Sequence, residues 1–273
     1  MSNVTAFLSE RIAAAKAAKS ENCSDEEWAL RVELAAAYRI IDHFNWTELQ
    51  SGHVTIRVPG ANRHFLINPY GLLFHEVTAS NLVKIDVDGR IAAPTPHQIN
   101  PAGFVIHSAI HQARVDAHCV FHIHTVAGMA VAALEHGLLP ISMPATGFYG
   151  RVAYHDFEGP GGELSERESI AKNLGDKDVL IMRNHGLLTC GRTVAEAFIR
   201  MYRLQRACEI QVAALACNTP VRFIPKDVSE RSAGQMNALL DRGRDGVMGG
   251  GVGEFDFAAM MRLMERKDPS FMT

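Results

Sequence analysis

The sequence predicts an α/β layered fold with much antiparallel sheet, and three observations predict it. Strand-like runs come in pairs joined by tight turns, the signature of hairpins. Helical stretches with recognisable caps stand between them, so helices and strands are interspersed along the chain. The glycine patterns of the parallel nucleotide-binding folds are missing, since no GxGxxG follows a strand and there is no Walker A sequence.

Each element can be justified in chain order. Ser24-Asp25-Glu26-Glu27 has the form of a capping box, in which Ser24 caps a helix and Glu27 reaches back. The helix runs to about residue 43, with Trp28, Val32, Ala36 and Ile40 on one stripe. Residues 53–58 alternate as a strand, Pro59-Gly60-Ala61-Asn62 makes a turn, and 64–67 returns as a second strand. Residues 85–91 form a further hairpin around Asp88-Gly89. Asn100-Pro101, a cap residue followed by proline at the first helical position, opens a helix to about residue 114. Residues 118–124 form a strand with His118, Val120, His122 and His124 on one face and Cys119, Phe121 and Ile123 on the other.

A helix of small residues follows over 125–136, ended by Gly137. Residues 139–155 read as short strands and loops, and 163–174 as a helix stopped at Gly175. Residues 178–183 form a buried strand, continued at 187–190 after an Asn184-His185-Gly186 corner. Thr193-Val194-Ala195-Glu196 is a second capping box, opening a long helix to about residue 217 with Val194, Phe198, Met201, Leu204, Cys208, Val212 and Leu215 on its stripe. Beyond Pro220 the character changes: 242–253 is glycine-rich and charged, a flexible linker, and 255–266 forms a short helix that docks on this subunit or a neighbour. The division expected is an N-terminal arm (1–23), a main domain (24–220), and a linker with C-terminal tail (221–273).

The 273 residues suffice for one large domain or two small ones. A net charge of −3 offers no basic surplus for nucleic acid, and no apolar run reaches the length of a membrane span. Residues 1–20 are rich in Ala and Lys, faintly like a transit peptide, but they lack a signal-peptide core and a small-residue cleavage site; a flexible arm or surface helix is the plainer reading. Cys23, Cys119, Cys190, Cys208 and Cys217 are odd in number and without CxxC spacing, so they read as buried thiols in a reducing, cytoplasmic setting.

The chemistry is carried by His122-Ile123-His124 and Asn184-His185-Gly186. Two histidines at i and i+2 of a strand point to the same side, roughly 6.5–7 Å apart along it, and can grip one metal ion. His185, where a strand breaks at a glycine, supplies a third imidazole and leaves a fourth position open, the pattern of a catalytic rather than a structural zinc site. Imidazoles without carboxylates suit Zn²⁺, with Fe, Co, Mn or Ni as alternatives. His107 and His111 share a helical face; they are either groups that orient the ligands or ordinary polar packing, the latter the plainer reading.

His122-x-His124, Asn184-His185-Gly186-Leu187, the strand from Gly52 to Arg57 and Asn68-Pro69-Tyr70-Gly71 together resemble the class II aldolase and adducin family, over roughly Glu27 to Cys217. The resemblance implies a three-layer α/β/α sandwich around a largely antiparallel sheet, commonly assembled as a homotetramer with active sites at subunit interfaces. It also implies zinc on His122, His124 and His185, and metal-assisted cleavage or rearrangement of small hydroxy-carbonyl compounds.

The departures from the pattern bear on the substrate. The family's sugar-phosphate aldolases carry a general-base glutamate four residues before the histidine that matches His107; here that position is Gly103. Their Gly-Asn-x-Ser becomes Gly52-His53-Val54-Thr55, and their Thr-Pro-Ser-Gly becomes Asn68-Pro69-Tyr70-Gly71. Tyr70 would fill space that a phosphate needs, so an unphosphorylated substrate is expected, with Gly52, Asn68 and Gly71 as its binding positions. The replacements look like those of the adducin-like branch, whose best-known members are cytoskeletal proteins without aldolase activity. Tyr149, His155 and Tyr70 are the replacement bases considered, with Asp156 and Glu76 beside them. Two functions follow: a metal-dependent aldolase or lyase, and, as the alternative, a non-catalytic adducin-like binding or assembly module.

Overall fold

The computed structural model describes residue 19 and residues 23–60, 63–159, 163–244 and 251–273. The N-terminal arm, apart from residues 19 and 23, and half of the glycine-rich stretch, residues 245–250, therefore lie outside the described residues. Seven strands are found among those described: β1 (His53–Arg57), β2 (Phe65–Ile67), β3 (Val83–Ile85), β4 (Cys119–Ile123), β5 (Val152–His155), β6 (Val179–Met182) and β7 (Gly186–Gly191). They form one sheet in the order β3-β2-β1-β4-β7-β6-β5, with every pairing antiparallel except β5 with β6.

The alternation along β4 decides what each face does. Cys119, Phe121 and Ile123 enter one apolar cluster and Val120 the opposite one. Helices α1 (Asp25–His43), α3 (Val126–Ala132), α6 (Val194–Ala216) and α8 (Glu254–Lys267) supply the first cluster, through Trp28, Val32, Val131, Phe198 and Phe257. Helices α2 (Pro101–Ala113) and α5 (Glu166–Leu174) supply the second, through Ile106, Ile110, Ile170 and Leu174. The result is the expected three-layer α/β/α sandwich. Each layer is fixed by burial of an apolar stripe that no helix could cover alone.

The caps form with one change of partner. Ser24 Oγ accepts from the Glu27 amide at 3.1 Å, but the Glu27 carboxylate does not close the box; it takes Arg31 Nε at 3.0 Å and Lys84 Nζ at 2.6 Å, tying α1 to β3. Thr193 caps α6 through the Glu196 amide at 3.1 Å, while the Glu196 side chain reaches one residue further back, to the Arg192 amide at 2.8 Å. The helix expected over 125–136 stops at Ala132, because Asn184 N takes the Ala132 carbonyl and Arg183 the Leu134 carbonyl, which turns the chain toward the His185 corner. Ile91 makes only an isolated bridge to Ile85.

The C-terminal segment differs from the expected tail. Helix α7 (Lys226–Arg244), polar enough to escape a periodicity reading, packs beside α4 (Met143–Thr146), with Ser232 Oγ 2.7 Å from Thr146 Oγ1. Helix α8 does form as read, and Phe257, Met261, Met264 and the following Phe271 are buried in the main core. Arg39 of α1 holds this end through Asp268 Oδ2 at 2.8 Å and Ser270 Oγ at 3.0 Å. Four of the cysteines are buried free thiols, as read; Cys217 is exposed. Among the described residues no helix is long and apolar enough to cross a membrane.

Candidate metal centre

His122 stands near the end of β4, His124 just beyond it, and His185 at the corner between β6 and β7. Antiparallel pairing of β4 with β7 sets Ile123 opposite Leu187 and so carries the corner to the two histidines. The corner needs a left-handed residue, and Asn184 supplies it at φ 57°. It also needs a residue without a side chain, since a Cβ on Gly186 would lie 2.7 Å from the Ile123 carbonyl and 2.9 Å from His124 Cδ2. The outcome is three imidazoles whose ligand atoms all lie within 4.8 Å of one another.

The proton positions test whether these residues fit a metal. His122 Nδ1 lies 3.0 Å from the Leu187 carbonyl, which can only accept, so Nδ1 carries the proton. His124 Nδ1 lies 2.8 Å from Glu48 Oε2, and a carboxylate likewise accepts. With both rings neutral, both Nε2 atoms are lone pairs, and they face each other at 2.8 Å. Two lone pairs at that distance repel unless a cation or a proton sits between them. Imidazoles that donate their outer N–H to a carbonyl or carboxylate while turning the inner nitrogen to a common point are arranged as metal ligands are. Burial, followed by the neighbouring imidazoles, holds His122 well below its usual pKa and His185 at about 4, so both offer neutral nitrogens at pH 7. The donor set fits Zn²⁺ and leaves a coordination position open.

A cavity of about 320 Å³ opens over the triad. Its wall includes Glu48, Ser51, His53, Asn100, Met129, Phe157 and Asn184, with no lysine or arginine. A phosphate would find no cationic partner there among the described residues.

The other expected site residues are placed elsewhere. Gly52 is close by, its backbone against the His122 carbonyl. The Asn68 side chain is buried, its Oδ1 2.9 Å from the Tyr38 hydroxyl, and it does not line the cavity. Gly71 lies in a turn and Tyr70 is exposed, and neither lines the cavity. His155 is buried on β5 with Nδ1 accepting from the Asn173 amide at 2.9 Å. Tyr149 lines a separate, larger cavity of about 420 Å³ between Phe148, Arg151, Lys177 and Arg203. Glu76 is exposed and accepts from the Leu73 amide, and Asp156 is exposed outside the wall. Gly103 does face the site: a Cβ there would lie 2.5 Å from His53 Cδ2, so the imidazole of His53 fills that space.

Sequence reasoning named neither Glu48 nor His53 as a site residue, nor the wall residues Ser51, Met129 and Phe157. Glu48 precedes the first strand with no motif to mark it. His53 had a signal, its position at the start of β1, but only the register that sets it opposite His122 brings it to the cavity. His107 and His111 serve β1 rather than the metal ligands, through Thr55 Oγ1 at 2.7 and 2.8 Å.

The fold agrees with what the chain is similar to. Residues 32–212 match the Class II Aldolase and Adducin N-terminal domain, and the chain belongs to that family. A crystal structure of an aldolase II superfamily protein from Pseudomonas syringae is 45% identical and superposes with a TM-score of 0.84, covering 93% of this chain and 98% of that one. L-fuculose 1-phosphate aldolase from Glaciozyma antarctica is 28% identical, with a TM-score of 0.76 and coverage of 94% and 97%. Alpha-adducin of Rattus norvegicus is 45% identical over 249 residues, which are 88% of this chain and 33% of the adducin.

Proposed function

We propose that this chain is a metal-dependent lyase of the class II aldolase type, cleaving a small, unphosphorylated hydroxy-carbonyl compound, with one Zn²⁺ held by His122, His124 and His185. The observation that carries the reading is the convergence of three imidazoles, with ligand atoms within 4.8 Å of one another, while the outer nitrogens of His122 and His124 are held by the Leu187 carbonyl and Glu48. Bound there, the ion would supply Lewis-acid polarisation of a carbonyl oxygen and its neighbouring hydroxyl. Glu48 and the Leu187 carbonyl orient the ligand rings. Phe157, whose ring meets His185 edge to face at 6.2 Å, and Met129 give the mouth an apolar lining. A cation-free wall favours an uncharged substrate. Assembly as a homotetramer, the habit of the family, belongs to the same proposal. Tyr149 would then reach a metal centre only across a subunit interface.

A second reading is favoured by one observation. With Gly103 the carboxylate base is absent and its space is closed by His53, as suits a non-catalytic, adducin-like assembly module. Metal content by mass spectrometry separates the first step: about one zinc per subunit in wild type, lost in His124→Ala, is expected. Chelator-sensitive turnover in a screen of short hydroxy-aldehydes and hydroxy-ketones then supports the lyase. Metal binding with no turnover of any member moves the assignment to the module. No metal, even after incubation with Zn²⁺, ends the lyase reading.

A further inference from the structure

Among the described residues His53 is buried with nothing to satisfy its ring: the residue is 3% exposed, both its nitrogens are buried, and neither has a hydrogen-bond partner. Burying such a group unpaired costs free energy, yet it lines the cavity over the three ligands and stacks near-parallel to His122 with ring centroids 6.3 Å apart.

Its neighbours form a directed chain. The Ala117 carbonyl lies 3.1 Å from His111 Nδ1 and can only accept, so that nitrogen donates and His111 Nε2 is a lone pair. Thr55 Oγ1, 2.8 Å away, must then donate to it. The single hydroxyl proton being spent, Thr55 accepts from His107 Nδ1 at 2.7 Å. His107 Nε2 is left as a buried lone pair without a partner, and the His107 ring meets His53 edge to face at 5.8 Å. Burial holds His107 well below its usual pKa and His111 at about 3, in keeping with neutral rings throughout.

We propose that His53 positions the substrate in this centre: its N–H turns to the His107 side, and its second nitrogen accepts a hydrogen bond from a substrate hydroxyl next to the chelating oxygens. The proposal rests on the metal-dependent reading above and adds to it a recognition rule, selection for a neutral hydroxyl by a neutral acceptor. It also explains the vacated position 103. A glutamate there would compete for the same volume, and the ring of His53 makes the swap self-consistent.

The test uses full-length, zinc-loaded protein and two probes that differ by one hydroxyl, acetohydroxamate and glycolohydroxamate, both of which chelate zinc. Titration calorimetry is expected to show that wild type prefers glycolohydroxamate by about three- to tenfold, the weight of one neutral hydrogen bond. His53→Leu is expected to lose the preference while its affinity for acetohydroxamate stays within about twofold and its zinc content is unchanged. A preference that survives in His53→Leu, or that is absent from wild type, overturns the role of His53 and leaves the metal reading standing. Failure to hold zinc or either hydroxamate overturns both. Should His53→Leu not fold, ¹⁵N-imidazole spectra of wild type decide: the His53 nitrogens shift with glycolohydroxamate and not with acetohydroxamate, and equal shifts or none refute the contact.

Discussion

Replacing Gly103 with alanine is the sharpest physical test of the idea that positions 53 and 103 share one space. The added Cβ would sit 2.5 Å from His53 Cδ2, 2.7 Å from Cγ and 2.8 Å from Nε2, where unbonded carbons rest at about 3.5–4.0 Å. An overlap of roughly 1 Å in a packed wall costs about 1–3 kcal/mol. Against it stands the conformational gain of alanine over glycine within a helix, about 0.5–1 kcal/mol. This gain is at its smallest in the first turn of α2, where residue 103 lies. The net expectation for Gly103→Ala is a loss of about 0.5–2 kcal/mol.

In a His53→Ala background the obstruction is gone, and the same change should be neutral or stabilising by up to about 1 kcal/mol. The two substitutions should therefore couple by about 1–3 kcal/mol. The assay is equilibrium denaturation of the four proteins of the cycle, at one protein concentration and with chelator present, so that neither assembly nor metal release enters the difference. A coupling below about 0.5 kcal/mol, the level at which independent sites add, would refute the shared-volume argument.

Three further outcomes are expected. Glu33, half-buried and close to Glu254, has its carboxyl raised to about 7 by desolvation and then by that neighbouring carboxylate, so the folded state holds a proton that the unfolded chain releases near pH 4.5. Its effect on stability is absent below about pH 4.5, grows as pH rises toward 7 and is constant above; chemical denaturation from pH 4 to 8 should show Glu33→Gln gaining on wild type by at most about 1.4 kcal/mol per pH unit over that window and not below it. Glu48→Gln, which weakens the acceptor behind His124, should lower zinc affinity about 10–100-fold in competition with a chromophoric chelator, and an unchanged affinity would deny Glu48 its orienting part. Tyr38→Phe should cost about 1–3 kcal/mol in denaturation, because the Tyr38 hydroxyl lies 2.7 Å from both the amide and the carbonyl of Val54 and 2.9 Å from Asn68, all buried.

Much of the fold was legible because it is written in local signals. The Asn100-Pro101 start, the Thr193 cap and the alternation of 118–124 each state a local rule, and the layers then follow from which stripe is apolar. What escaped was decided elsewhere in space. Helix α7 is amphipathic but polar on the whole and glycine-containing, and contact with α4 helps to hold it. Glu27 follows the capping-box spacing, yet Arg31 and Lys84 compete for its carboxylate and prevail, because two cationic partners outweigh one amide.

The metal ligands were readable for the same reason as the strands: His122 and His124 lie two apart on one face, and the Asn-His-Gly corner advertises a residue aimed out of the sheet. The rest of the centre is not local in sequence. Where the resemblance implies a carboxylate position 103 is glycine, and where it implies an asparagine position 53 is histidine, fifty residues apart and on different elements. Read along the chain, each looks like decay of a catalytic site. In the folded molecule they are one event, since the register that pairs His53 with His122 puts the ring into the volume that a side chain at 103 would need. On the lyase reading proposed above, a neutral polar wall turned toward the three histidines fits a substrate without phosphate.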